Sequence, residues 1–337
     1  MSIQFDSYRN VKEEIMKKRY ENSEKVYKLQ AKEIFPLIMS LIKEKSKDAK
    51  PKSTLDIPVK FLNKQDLEAL ENYSVIRFGH STLLFKIENE FILTDPVFSK
   101  RASPFSFMGP KRFHDMPISI EELPFIDSVI ISHDHYDHLD KQSIKKLVSK
   151  VGKFYTTLEV GKHLMKFGVS RQKIVELDWW ESSKPNNIEF VCTPAQHFSG
   201  RGLFDRDKTL WSSWVIKAPK GRFYFGADGG YFNCFKEIAY NHGPFDMTFL
   251  EVGAYNQKWR DIHMLPHESA QAHKDLRGKV MFPIHNGTFD LALHAWYEPF
   301  EKIASLAKDL NIDIVFPKMG EAIPLLTKKE TSLWWKS

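Results

Sequence analysis

The chain has 337 residues, 42% hydrophobic, 27% charged and 13% aromatic, the composition of a globular protein with a sizeable core. No apolar run approaches the roughly 20 residues that span a bilayer, and the start, MSIQFDSYRN, lacks the apolar region of a secretory signal. The net charge is +6, but residues 1–52 alone carry 13 Lys and Arg against 8 Asp and Glu. The rest is close to neutral, so nucleic acid is not expected as a partner.

In chain order, residues 8–48 are expected to be helical: rich in Lys, Glu, Ile and Leu, free of Gly, with one proline at 36. Within them IFPLIMSLI, 34–42, is apolar nearly all round and should kink or open at Pro36. This arm is read as packing on the main domain or on a second copy of the chain. Its apolar patch between lysines also suits peripheral contact with a membrane surface. KSKDAKPKS, 45–53, reads as a linker, dividing the chain into a helical arm, 1–52, and a main domain, 53–337.

From residue 73 the pattern changes to short strands: SVIRF, TLLFKI, EFILTD and SVIIS. DKQSIKKLVSKV follows as a helix with Asp140 as its N-cap. KFYTT, IEFVCTPA, SSWVIKA, RFYFGAD, MTFLEV, KVMFPI and IDIVFP then read as strands, with helices expected near 158–167, 232–240, 267–276 and 297–310. A meander followed by strand–helix alternation predicts an α/β chain with mixed sheets. Cys192 and Cys234 provide neither a disulfide framework nor a CxxC metal knuckle, as expected of a reduced, cytoplasmic protein.

Chemistry concentrates at one strand end. SHDHYDH places His133, His135, Asp137 and His138 in an H-x-H-x-D-H pattern. Residues two apart in an extended segment point the same way, so His133 and His135 can converge on one ion. Imidazole with carboxylate suits zinc, with iron or manganese as competitors. Three further candidates follow expected strands beside small residues: His197 in TPAQHFSG, Asp228 in FGADGGY and His285 in PIHNGTF. Seven ligands divide into two divalent-metal centres. His133, His135 and His197 are assigned to the first, Asp137, His138 and His285 to the second, and Asp228 bridges. Water between two cations becomes hydroxide near neutral pH, with Asp137, His138 and Asp228 as the catalytic set.

At this point the sequence resembles the metallo-β-lactamase superfamily. GHSTLLFKIENEFILTDPVFSKRASPFSFMGPKRF, ELDWWE, TPAQHFSGRGLFDRDKTLWSSWVI, GPFDMTFLEVGAY and HNGTFDLALHAWYEP are similar to the branch containing the N-acylphosphatidylethanolamine-hydrolysing phospholipase D and its bacterial relatives. The resemblance covers about residues 73–326. It implies a four-layered αβ/βα sandwich, two metal ions, and hydrolysis of a phosphodiester, with a phospholipid as the expected substrate. A lactonase or a sugar-phosphate hydrolase is the alternative. By the same resemblance His80 and Asp95 sit beside the metals. Two departures concern specificity: Gly229 where relatives carry a hydroxyl residue, and Asn286 where they carry Trp. Lys111 and Arg112 are candidate phosphate contacts, Trp179 and Trp180 candidate acyl-chain contacts, and His263 a candidate cavity-lining residue.

Overall fold

A computed structural model describes residues 19–26 and 43–336. After a short helix α1 (Lys64–Glu68), the first half of the chain forms β1 (Ser74–Gly79), β2 (Thr82–Ile87), β3 (Glu90–Thr94), β4 (Ile126–Ile131), β5 (Val151–Thr157) and β6 (Ile174–Leu177). The second half forms β7 (Ser182–Ser183), β8 (Glu189–Thr193), β9 (Ser213–Ala218), β10 (Gly221–Phe225), β11 (Phe245–Glu251), β12 (Gly278–Ile284) and β13 (Asp313–Ile314), and a last strand, β14 (Ala322–Pro324), returns to β1. The sheets have seven strands each, in the orders β14-β1-β2-β3-β4-β5-β6 and β13-β12-β11-β10-β9-β8-β7.

Each half repeats one scheme. Strands β1 to β3 pair antiparallel, and β3 to β6 then pair parallel. Strands β7 to β10 are likewise antiparallel and β10 to β13 parallel. Parallel pairing requires crossovers, which supply α2 (Lys141–Leu147) and α3 (Gly161–Lys166) to the first sheet and α4 (Cys234–His242), α5 (Pro266–Asp275) and α6 (Glu298–Asp309) to the second. Asp140 caps α2, accepting from the amides of Gln142 and Ser143.

The two-residue period of the strands sorts the apolar side chains into layers. On β2, Leu83, Phe85 and Ile87 enter a cluster between the sheets, while Leu84 joins another with Ile144, Leu147 and Leu164 of the outer helices. On β10, Phe223 and Phe225 face the first sheet, and Tyr224 packs with Phe235, Ile238, Phe300 and Ile303 on the other side. Burial on both faces explains why these strands read as continuous apolar runs. The architecture is a four-layered αβ/βα sandwich.

The N-terminal expectation needs correction where it can be compared. Residues 19–26 are not helical; the Tyr20 amide donates to Asp207 O at 2.8 Å, across the chain. The stretch read as a linker is docked on the domain. The Ser46 amide donates to Leu293 O at 2.7 Å, the Trp296 amide to Asp48 O at 2.9 Å, Lys45 pairs with Asp290, and Ala49 is buried. Lys43 and Glu44 are helical, and the rest of the helical expectation, including IFPLIMSLI, lies outside the described residues. Among those described, no helix is long and apolar enough to cross a membrane.

Candidate metal centre

Seven strands of the two sheets end at one edge, and each delivers a polar residue there. His80 follows β1, Asp95 follows β3, and His133–His138 follow β4. From the second sheet, His197 follows β8, Asp228 follows β10, Glu251 ends β11, and His285 follows β12. Four of these turns use the left-handed backbone region without glycine: His80 at φ 51°, Asp95 at 35°, Ala227 at 50° and His285 at 62°. Such conformations are costly for L-residues and persist where surrounding contacts enforce them. One glycine is required by close approach: a Cβ at Gly253 would stand 1.8 Å from His285 O.

The donors gather in two adjacent groups. His133, His135, His197 and Asp228 form one, and His80, Asp137, His138 and His285 the other, with the ligand atoms of each within 4.8 Å of one another. Asp228 lies between the groups. Its Oδ1 is 3.1 Å from His138 Nε2 and 3.0 Å from His285 Nε2, whereas Oδ2 is 3.9 Å from His133 Nε2 and 3.8 Å from His197 Nε2.

The rings are oriented from behind. His138 Nδ1 donates to Asp95 Oδ2 at 2.7 Å, and His197 Nδ1 donates to Ile262 O at 2.9 Å. Both bonds leave Nε2 facing the centre, as metal-ligating histidines require. Asp95 is itself fixed by the Ser132 amide at 2.8 Å and hydroxyl at 2.6 Å.

The donor set fits divalent cations. His133 Nε2 stands 2.9 Å and His197 Nε2 3.2 Å from His135 Nδ1, three ring nitrogens aimed at one point. Tetrahedral zinc ligation places neighbouring nitrogens about 3.3 Å apart. Nε2 of His138 and of His285 and Oδ1 of Asp228 are buried without a hydrogen bond, although only about 3 Å separates them. Charge follows the same division. Burial holds His133 and His197 well below the usual imidazole range, so they offer lone pairs. Burial also opposes charge on His285, but Asp228 and Asp137 outweigh it and raise the imidazole to about 9. Without a cation, the carboxylates retain protons on their neighbours that a metal would replace.

A family model described as a beta-lactamase superfamily domain matches residues 90–286. A Caenorhabditis elegans protein named N-acyl-phosphatidylethanolamine-hydrolyzing phospholipase D 1 is 35% identical over 309 residues, covering 86% of each chain. The chain belongs to the metallo-β-lactamase superfamily, in that branch. It is also 44% identical over 263 residues to an uncharacterized protein of Mycobacterium tuberculosis, covering 77% of this chain and 70% of that one. Among solved structures, the fold is shared with an isothiocyanate hydrolase from Delia radicum gut bacteria, at a TM-score of 0.60 and 18% identity over 74% of this chain and 98% of that one. With UPF0173 metal-dependent hydrolases also among its relatives, this metallo-β-lactamase chain is a metal-dependent hydrolase with His/Asp clusters able to bind metal.

The other expected residues of this metallo-β-lactamase fold divide between the site and its surroundings. Arg112 does not present itself to a phosphate: it is buried, donates to Val97 O at 2.6 Å and Ser99 O at 3.3 Å, and stacks on Phe289. Lys111 is exposed. Trp179 packs against the inter-sheet core and donates to Trp211 O at 2.7 Å, and Trp180 stacks on His242, so neither is a wall of the metal site. Asn286 does not open that wall either; its Oδ1 accepts from Arg77 at 2.9 Å. His263 joins Asp228 and His285 in a third grouping of possible donors. Gly229 lacks a hydroxyl, but its amide donates to Glu251 Oε1 at 2.8 Å.

Glu251 and Arg77 were not anticipated. Both are almost completely buried, and a charged residue inside an apolar strand is the signal that marks them, because such burial demands partners.

Proposed function

We propose that the chain is a phosphodiesterase of phospholipase D type. It would act on N-acylphosphatidylethanolamine or another phospholipid, with two divalent ions, zinc by donor chemistry. The observation that carries the reading is Asp228, whose two carboxylate oxygens face two separate groups of donors. His133, His135 and His197 would hold one ion, Asp137, His138 and His285 the other, and Asp228 both. The bound pair would supply Lewis acidity and a water ionisable near neutral pH. Asp95 and Ile262 O keep His138 and His197 in the required tautomer, and His80 Nε2, 3.0 Å from Asp137 Oδ2, steadies that carboxylate.

The C. elegans relative's name supports the substrate class, and so does the surface. Two loops beside the site end in exposed apolar residues, Phe107 at 77% exposure on one and Leu203 and Phe204 at 91% and 82% on the other. Basic Lys100, Arg101, Lys111 and Arg206 lie in the same segments. Apolar tips among cations suit a phospholipid surface. The test is turnover of bis-p-nitrophenyl phosphate and of N-acylphosphatidylethanolamine vesicles by metal-loaded protein, against simple lactones. Phosphodiester turnover is expected; lactone turnover without it overturns the proposal.

A further inference from the structure

Residues 19–26 cross two of the loops around the site, the one between β8 and β9 and the one after β10. Arg19 donates to Arg206 O, and the Tyr20 amide to Asp207 O at 2.8 Å. At the other end Glu24 Oε1 accepts from the Asn233 amide at 2.8 Å, on the loop that carries Asp228. Between them stands Asn22. Its Nδ2 donates to His197 O at 2.7 Å, and its Oδ1 accepts from the His197 amide at 3.0 Å and from Trp211 Nε1 at 3.0 Å. Trp211 Nε1 also reaches Ala195 O at 2.9 Å.

A side-chain amide that satisfies both backbone groups of one residue replaces the strand partner which that residue lost on leaving β8. His197 sits four residues past Thr193, the end of the strand, where backbone groups buried without a partner would be costly. Its ring is fixed separately by Ile262 O. The backbone clamp and the ring clamp together determine where Nε2 points.

We infer that residues 19–26 are a strap belonging to the metal site, and that Asn22 is a positioning residue for His197. Docking of the strap and occupation of the His133/His135/His197 centre are therefore thermodynamically linked. The linkage is reciprocal: a metal ion that fixes His197 fixes Asn22 and the strap. The inference rests on the proposed assignment of those three histidines as ligands.

The test uses the full chain. Cobalt is titrated into wild type, Asn22→Ala and Asn22→Asp, followed by visible absorption and by competition with a chelator, with the melting temperature of each metal-free protein measured alongside. Asn22→Asp keeps the acceptor oxygen but turns a second oxygen toward the His197 carbonyl, so it tests the clamp if the alanine variant does not fold. Loss of a group that orients a ligand typically weakens metal affinity about 10- to 100-fold. That loss is expected for one metal equivalent in both variants, with an altered cobalt spectrum. Glu24→Ala, which removes a strap contact not made to His197, should weaken affinity less than the Asn22 variants and leave the spectrum of the bound ion as in wild type. Hydrogen exchange of residues 20–25 should slow when metal is added to wild type.

Identical titrations and spectra in wild type and a folded Asn22 variant would overturn the inference. So would exchange in the strap that ignores metal. Failure of wild type to bind any cobalt would instead sink the ligand assignment beneath it.

Discussion

Glu251 Oε2 accepts a hydrogen bond from His263 Nδ1 at 2.7 Å, at the floor of the site and between residues twelve positions apart. The same carboxylate accepts from the amides of Gly229 at 2.8 Å and Met264 at 3.3 Å, and lies 4.0 Å from His285 Nδ1. It thus ties the turn carrying Asp228, the loop carrying His263 and the ligand His285 to the end of one strand. With Nδ1 engaged, His263 keeps Nε2 for the side where Asp228 and His285 converge.

Glu251→Gln should therefore reduce kcat more than it raises KM. Glutamine has one acceptor oxygen where the carboxylate has two, so an amide group must face a former donor. A fall of about 10- to 100-fold in kcat is expected, as for other groups that orient a metal site. Steady-state kinetics on bis-p-nitrophenyl phosphate measure it. An unchanged kcat would mean that His263 and the Asp228 turn are held without Glu251.

Chelation should destabilise the protein. A ligand held at 100 times its dissociation constant contributes about 2.7 kcal/mol, which in a domain of this size corresponds to roughly 4 °C in Tm. Calorimetry before and after dialysis against chelator checks this, and His135→Ala should lose both the metal-dependent shift and the activity.

Arg77 holds the loop that begins at His285. Its Nη1 donates to Asn286 Oδ1 at 2.9 Å and its Nη2 to Asn286 O at 2.5 Å, deep in the protein. Burial lowers its guanidinium to about 9, so the charge survives at pH 7. Arg77→Met strands buried acceptors, and about 3 kcal/mol of stability should be lost. Arg77→Lys should recover part of it, as read by urea unfolding.

Acid sensitivity has an identifiable contributor far from the metals. His273 is buried on α5, bonds Thr248 Oγ1 at 2.8 Å, and is lowered to about 4 by burial, with Asp313 raising and Lys274 lowering it in smaller measure. The unfolded chain protonates this imidazole near pH 6.5. Between that pH and about 4 the unfolded state binds more protons, so stability is lost as pH falls through the window. The loss is on the order of 3 kcal/mol. His273→Asn should flatten the dependence of unfolding free energy on pH between 6.5 and 4.

The loop tips separate substrate delivery from chemistry. Leu203→Ser with Phe204→Ser should lower turnover of N-acylphosphatidylethanolamine in vesicles several-fold and leave bis-p-nitrophenyl phosphate untouched. Equal loss on both substrates would show that the tips act on the site and not on a lipid surface.

The strands were readable because their apolar runs are buried on both faces. β6 went unread because its four residues include Glu176, and β7 and β14 because two or three residues carry no period. The HDHYDH run announced itself by local density. Glu251 did not, since its burial is decided by Gly229 and His263 on other segments. Asn22 lay in YENSEK, a polar stretch that reads as a solvated helix face, and only the fold shows His197 and Trp211 beside it. Arg112 differs from its reading for the opposite reason: a basic pair suggests an exposed phosphate contact, whereas this side chain is buried and bonds the loop carbonyls of Val97 and Ser99 through Nη2 and Nε.

The duplicated scheme of the sandwich gives the two sheets unequal debts to the same edge. His133, His135, Asp137 and His138 come from the first half of the chain, and His197, Asp228 and His285 from the second. Ions shared between them would rivet one half to the other. Mechanical separation of the sheets should then begin at the opposite rim, and the catalytic edge should be the last seam to part.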